Sequence, residues 1–296
     1  MPNLYVTPLE VKAAMPDAFR ATTIKYDAII MRLAGEVSRW IDQECKRVFY
    51  PSLATRYFSG SGALTMAIPD LISITSVSTS ADYGLTYTAL SASDYYGIVD
   101  GGEGGRYNSA KSYNTLEVNL NSSAIGYWPI GQRMVKIVGV WGYADDRDSC
   151  FELTGDTVQD NPLTSGAVTL TLTDIDAKDN YGAFERIQPG NLLRVESEYI
   201  EAALTANVSA NTIGVLRGRN GTTAASHVKT TPVYVWRVPE PVKQAAVIQA
   251  TRELQRGLQG FGDARANPEL GELIFFKSID PEAAAKLAPY RCMEIP

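Results

Sequence analysis

The run Val135-Lys-Ile-Val-Gly-Val-Trp-Gly-Tyr143 passes directly into Ala144-Asp-Asp-Arg-Asp148, and the organisation of the chain turns on that junction. The first part is β-branched and aromatic and reads as a strand over Val135–Trp141. The acidic part breaks the pattern. From about Phe151 to Trp236 a separate all-β texture appears. Val168-Thr-Leu-Thr-Leu172 alternates at period two, and Leu192–Val195, Tyr199–Leu204, Thr212–Leu216 and Val233–Trp236 follow at short spacings. Pro189-Gly190 and Arg219-Asn220-Gly221 are turn signals between them. Strands at such spacing suggest a small sandwich or barrel. Helix returns at Pro239-Glu-Pro241. Val242, Ala245, Ala246, Gln249, Leu254 and Leu258 trace its buried side, and Gly257 and Gly260 close it.

Upstream of the junction, Thr7-Pro8-Leu9-Glu10 forms a capping box with Pro at the first helical position, opening a short helix that Pro16 ends. A long helix is expected over Thr23–Phe49, with an apolar stripe of Ile29, Ile30, Leu33, Val37, Trp40, Ile41, Cys45, Val48 and Phe49 and with Pro51 as its stop. Strands are expected at Ala54–Phe58, Leu64–Ile68, Ile74–Ser78, Tyr95–Val99 and Thr115–Leu120, with Gly101–Gly105 as a flexible loop between strands. The pattern predicts an α+β fold. A helical domain with a small antiparallel sheet, residues 1–150 and 237–296, is interrupted by an inserted all-β sandwich or barrel, residues 151–236. The tail from about residue 261 holds a turn of helix near Pro281–Leu287 and ends extended.

The composition narrows the function. The 296 residues carry a formal charge of −6, and the pI is about 5.0. An acidic chain without clustered Lys and Arg is unsuited to gripping nucleic acid. No signal-peptide pattern is expected, since Glu10, Lys12 and Asp17 interrupt the first apolar stretch, and no apolar run approaches the roughly 18 residues of a membrane span. Cys45, Cys150 and Cys292 are odd in number and far apart, which reads as three free thiols.

No residue pattern calls for catalysis, a metal or a cofactor. His227 is the single histidine and reads as a turn or strand-end residue, with no nucleophile elbow near it. Asp174–Asn180 lacks the central Gly and distant Glu of a calcium loop and reads as a solvated connection. Gly60-Ser-Gly62 reads as a hairpin turn or loop. Arg217-Gly-Arg219-Asn220-Gly-Thr222 reads as a hairpin with Asn-Gly at its tip, or more sharply as a contact for an acidic partner. Tyr83, Tyr87, Tyr95, Tyr96, Tyr107 and Tyr113, among 16 tyrosines, are candidates for an interface.

The ordered set Cys45-Lys-Arg-Val-Phe49, Thr55-Arg-Tyr-Phe-Ser-Gly60, Ile68-Pro-Asp-Leu-Ile-Ser-Ile-Thr-Ser-Val77, Val135–Tyr143, Val238-Pro-Glu-Pro-Val-Lys-Gln-Ala-Ala246 and Leu287-Ala-Pro-Tyr-Arg291 resembles the head-to-tail connector (adaptor) proteins of long-tailed bacteriophages. In that family the Gly-Trp-Gly-Tyr strand runs almost directly into the Val-Pro-x-x-Val-Lys-x-Ala helix. Here residues 144–237 intervene. Glu196-Ser-Glu198 followed by Leu216-Arg-Gly-Arg-Asn-Gly-Thr-Thr-Ala-Ala-Ser-His227 is similar to small β modules of phage structural proteins, with no function carried across. The resemblance implies a non-enzymatic virion protein of the neck at the portal vertex, assembled in the host cytoplasm. It implies a ring, usually dodecameric, that binds the portal protein and a neck or tail-completion protein. DNA would pass through it without sequence-specific binding, and no membrane is involved. Leu287, Pro289, Tyr290 and Arg291 match the terminal motif and become the portal-contact candidates. Arg32, Glu36, Arg39 and Glu44 on the long helix are the inter-subunit candidates, and Arg217, Arg219 and Asn220 the insert-loop candidates. Another phage neck or tail component, or a surface- or carbohydrate-binding module, stays open beside this reading.

Overall fold

The computed structural model describes residues 3–15, 26–99, 110–180, 182, 185–258, 264–267, 272–275 and 279–292. The expected helix start at Thr23, Pro16, the Gly101–Gly105 loop, Tyr107 and Gly260 fall outside the described residues. The chain divides into two compact units. The first comprises Met1–Arg47, Phe151–Arg219 and Thr223–Pro296, and the second Val48–Cys150 with Asn220–Thr222.

Among the described residues the fold is mostly β, with two six-stranded antiparallel sheets and four α-helices. This corrects the expected helical domain with a small sheet, and the reason lies in one strand. The second unit contains β1 (Ser52–Gly60), β2 (Thr65–Thr79), β3 (Thr88–Ala89), β4 (Tyr95–Ile98), β5 (Tyr113–Val118) and β6 (Gly131–Trp141). Pro69 suggests a break, yet β2 runs unbroken through it. The missing Pro N–H falls where the register with β5 slips between Ala67 and Leu71, so no ladder bond is lost. The continuous β2 pairs with β6, β5 and β3, giving the order β1-β6-β2-β5-β4 with β3 beside β2. Gly60-Ser-Gly62 is therefore not a hairpin turn, because β6 lies between the two strands it connects. One face of this sheet packs a core of Leu71, Val77, Leu116, Trp128, Val135, Ile137 and Trp141, all under 2% exposed. The two buried indoles also donate to backbone carbonyls, Trp128 to Leu116 and Trp141 to Ala54.

In the first unit, β7 (Phe151–Thr157), β8 (Thr169–Thr171), β9 (Leu192–Val195), β10 (Glu198–Asn207), β11 (Thr212–Leu216) and β12 (Pro232–Trp236) form a sheet of order β7-β12-β9-β10-β11-β8. Its outer strands meet through the bridge Val158↔Leu172, so the sheet curls on itself as a barrel. The period-two alternation sends Leu170 and Leu172, Leu193 and Val195, Ile200 and Ala202, Ile213 and Val215, and Val233 and Val235 into one interior cluster. Strand β7 was not anticipated. Its Thr154, Gly155 and Asp156 weaken the hydrophobic signal, and Asp156 is buried.

The same unit holds α1 (Pro8–Ala13), α2 (Asp27–Cys45), α3 (Glu240–Leu258) and α4 (Pro281–Leu287). The capping box of α1 forms as the sequence indicates: the Glu10 N–H donates to Thr7 Oγ1, and the Thr7 N–H to Glu10 Oε2. Helix α2 ends at Lys46 in the left-handed conformation (φ 50°) and does not run on to Phe49. Its buried stripe is Ile30, Ala34, Val37, Ile41 and Cys45, whereas Ile29 is 40% exposed. Helix α3 buries Val242, Ala245, Ala246, Gln249 and Leu254. A hairpin of β13 (Ala264–Asn267) and β14 (Glu272–Phe275) stands where the sequence suggested only a mixed tail.

Leu193 is fully buried at the centre of the barrel. Leu193→Ala is expected to cost about 2–5 kcal/mol, read as a lowered urea midpoint.

Candidate functional site

The motif Glu196-Ser-Glu198 … Arg217 … His227 folds into a polar clamp at one end of the barrel. Glu198 opens β10, and its side chain is buried. Arg217 follows β11 and donates from Nε and Nη2 to the two Glu198 oxygens, each at 2.7 Å. The Gly218 and Ala225 N–H groups donate to the same carboxylate at 2.9 and 3.0 Å. His227 is 1% exposed, with Nε2 at 2.8 Å from Glu198 and Nδ1 at 2.7 Å from Glu196. Its backbone exchanges both hydrogen bonds with Leu163. The remaining Arg217 donors reach the carbonyls of Thr164 and Ala225. Burial alone would raise the Glu198 carboxyl. The Arg217 guanidinium, the Ala225 N–H, His227 and the Gly218 N–H together outweigh it and hold the carboxyl at about 2.

This placement answers two sequence expectations. His227 is a structural tie between two carboxylates. Arg217, a candidate partner contact, has a side chain only 6% exposed and spends its donors inside the barrel. Arg219 is more open and pairs with the buried Glu201 at 3.0 Å. Asn220 and Gly221 do not sit at a hairpin tip, because β11 and β12 are not neighbours. They form a left-handed turn in the second unit. The Asn220 carbonyl accepts from the Leu53 N–H, Asn220 Nδ2 donates to the Pro51 carbonyl at 2.8 Å, and a Cβ on Gly221 would lie 2.0 Å from the Leu53 carbonyl oxygen. The glutamates of the clamp were legible only as part of the motif, since their partners lie about twenty to thirty residues away in sequence.

The helical face of the first unit gathers the other candidates. Arg32 and Glu36 lie one turn apart on α2, exposed, with no ion pair among the described residues. Beside them an open groove of about 460 Å³ runs between α2 and α3, floored by Ile29, Leu33 and Leu254. Arg39 is engaged within the chain: it pairs with Asp42 at 2.9 Å, donates to the Asn3 carbonyl and lies over the Tyr5 ring. Glu44 pairs with Arg291. The terminal motif is not extended. Leu287 closes α4 and is fully buried, and residues 288–290 continue as a 3-10 turn with Pro289 exposed and Tyr290 half-buried. The Cys292 N–H donates to the Cys45 carbonyl at 2.8 Å, so the segment lies on the end of α2.

A second cavity, about 530 Å³, lies among the N-terminal segment, the barrel rim and the start of α3, with Leu4, Val6 and Trp236 among its apolar lining. Burial opposes the charge on Lys243 at its edge, but Glu10 at 3.1 Å and Glu240 hold the ammonium above its ordinary value. Arg237 is likewise paired with Glu152 and Asp179. No group of His, Cys, Asp and Glu able to hold a metal occurs among the described residues. No helix among them is long and apolar enough to cross a membrane. No protein-family model matches the chain, and no curated protein is similar enough to match it.

Three measurements test this geometry. A carboxyl held low in the folded state adds stability that is complete above its unfolded value, near 4.3, and is lost as the pH falls toward about 2. Glu198→Gln should therefore flatten the melting temperature against pH over that window. Arg217→Met, which strands the buried carboxylate, should cost about 3–5 kcal/mol at neutral pH. Burial raises the Cys45 thiol to about 11, while Cys292 is exposed. A thiol reagent at pH 8 should therefore label Cys292 at least tenfold faster than Cys45, read by peptide mass analysis.

Proposed function

We propose that the chain is a structural head-to-tail connector of a tailed bacteriophage. Its copies form a ring under the portal that extends the DNA channel and joins the capsid to the neck and tail. The ordered motifs from Cys45–Phe49 to Leu287–Arg291 support this reading. The observation that carries it is the outer side of α2. A helix that gives one face to the core leaves beside Glu36 a groove floored by Ile29, Leu33 and Leu254, and Glu36 and the exposed Arg32 one turn away have no intramolecular partners among the described residues. That combination of apolar floor and uncompensated rim charge suits a surface that a neighbouring copy covers. The role of Arg39 and Glu44 in this reading is to brace the helix from within, because both are already paired.

Of the terminal motif, Pro289, Tyr290 and Arg291 remain at the surface for a portal contact, with Leu287 as their internal anchor. An acidic chain would line a channel through which DNA slides by repulsion. Cryo-electron microscopy of the particle that carries this protein tests the reading: density for it belongs between portal and tail, and density elsewhere in the virion refutes it. In mass photometry with the portal protein, association at one stoichiometry is expected. It should weaken when residues 289–296 are deleted, a truncation that spares the buried Leu287.

A further inference from the structure

The sheet of the Val48–Cys150 unit carries a ladder of cations and rings that no carboxylate among the described residues neutralises. Tyr57 of β1 stands opposite Lys136 of β6 in the strand register. The Arg133 guanidinium lies 4.2 Å from the centre of the Tyr57 ring, the Tyr57 and Tyr87 rings lie 5.7 Å apart, and Lys136 Nζ lies 4.8 Å from the centre of the Tyr87 ring. The Tyr87 hydroxyl donates to the Arg133 carbonyl at 2.8 Å and holds the loop to the strand. Among the described residues neither Arg133 nor Lys136 has a carboxylate partner, in a chain whose net charge is −6. The nearest carboxylate along the loop, Asp82, is spent on its own turn, accepting from the hydroxyls of Ser80 and Thr86 and from the N–H groups of Leu85 and Thr86. Around the ladder Tyr83, Leu85 and Ile130 are 74%, 85% and 69% exposed.

The far end of β6 has the opposite character. The strand spans roughly 33 Å at about 3.3 Å per residue and leads into Asp145, Asp146 and Asp148, all exposed. Arg147, the cation among them, is turned back. Its guanidinium lies over the Tyr113 ring and donates to the Lys111 carbonyl, and its own N–H donates to the Ala110 carbonyl. The Asp148 and Ser149 N–H groups donate to Asp146 and set the shape of the loop. The Asp148 carboxylate has no partner among the described residues.

We propose that the Arg133–Tyr57–Tyr87–Lys136 ladder docks on the Asp145–Asp148 loop of the next copy, head to tail. The proposal rests on the reading of the chain as a ring-forming protein and names one contact of that ring. A heterologous contact between the two ends of one strand is the kind that closes rings when it repeats with a constant rotation. The flank of exposed aromatic and aliphatic side chains fits a protein partner. A nucleic acid fits less well: the ladder rings are already covered by cations and by each other, so bases find little free face to stack on, and the chain as a whole repels a polyanion.

Charge exchange in the full-length chain tests this. Sedimentation and mass photometry at low salt should show the wild type associating beyond the dimer, and added salt should weaken the association. Lys136→Glu alone, the pair Arg133→Glu and Lys136→Glu, and Asp148→Lys, which spares the loop-shaping Asp146, should each weaken association by roughly tenfold or more, with thermal melting unchanged. Arg133→Glu, Lys136→Glu and Asp148→Lys in one chain should restore it. The proposal is overturned if the wild type stays monomeric up to its solubility limit, if it stops at a twofold dimer, or if the exchanges leave association unchanged. It is equally overturned if the ladder variants lose binding to a single-stranded oligonucleotide while self-association persists. The connector reading is judged separately, by where the density lies in the particle, so either can fail without the other.

Discussion

The barrel is organised around a charge that it buries. Taking the Glu198 carboxylate out of water costs several kcal/mol unless its lone pairs are all met. They are met by two guanidinium nitrogens, two backbone N–H groups and an imidazole nitrogen. Each of those donors belongs to the segment 217–227, so satisfying one side chain fixes the course of a long connection that has no regular structure of its own. Through His227 and Arg217 the same network reaches Leu163 and Thr164, which binds the loop before β8 as well. A hydrophobic cluster is indifferent to which polar loop covers it. A buried carboxylate is not, and that gives the barrel end a single arrangement.

The same distinction between occupied and unoccupied charge sorts the candidate residues. Arg217, Arg39 and Glu44 look alike in sequence to Arg32 and Glu36, being charges on amphipathic segments or turns. The first three have their partners within the chain, and the last two have none among the described residues. In the second unit Arg133 and Lys136 are set over tyrosine rings without a counter-charge among the described residues, while Asp148 stands exposed in the loop beyond the opposite end of the same strand. Uncompensated charge on a surface costs little in water and becomes useful when a complementary surface arrives. For this reason the two unpaired sets are the places where an assembly reading has physical content.

Much of the local structure was legible from residue order. The capping box at Thr7, the strands Leu192–Val195 and Thr212–Leu216, the strand core of β6 and the buried side of α3 all follow from side-chain period and from capping chemistry, which depend on neighbours a few residues apart. The reading failed where a local signal competed with a distant partner. Pro69 marks a break by its own chemistry, but a register slip against β5 absorbs it, and one long strand draws a six-stranded sheet together. Asn220-Gly221 carries the backbone preference of a tight hairpin, and the left-handed turn does form, yet the strands it joins belong to different neighbours.

By itself, then, the order of residues determined the cores of α1, α2, α3, β6, β9 and β11, their apolar faces, and that the acidic stretch after Tyr143 separates two β-rich regions, because periodicity and turn chemistry act over a few residues. Only the tertiary structure decided the order of strands in each sheet, the closing of the barrel at Val158 and Leu172, and which charges are paired. Those outcomes depend on groups far apart in the chain, such as Glu198 with His227 and Glu44 with Arg291, and no spacing rule relates them.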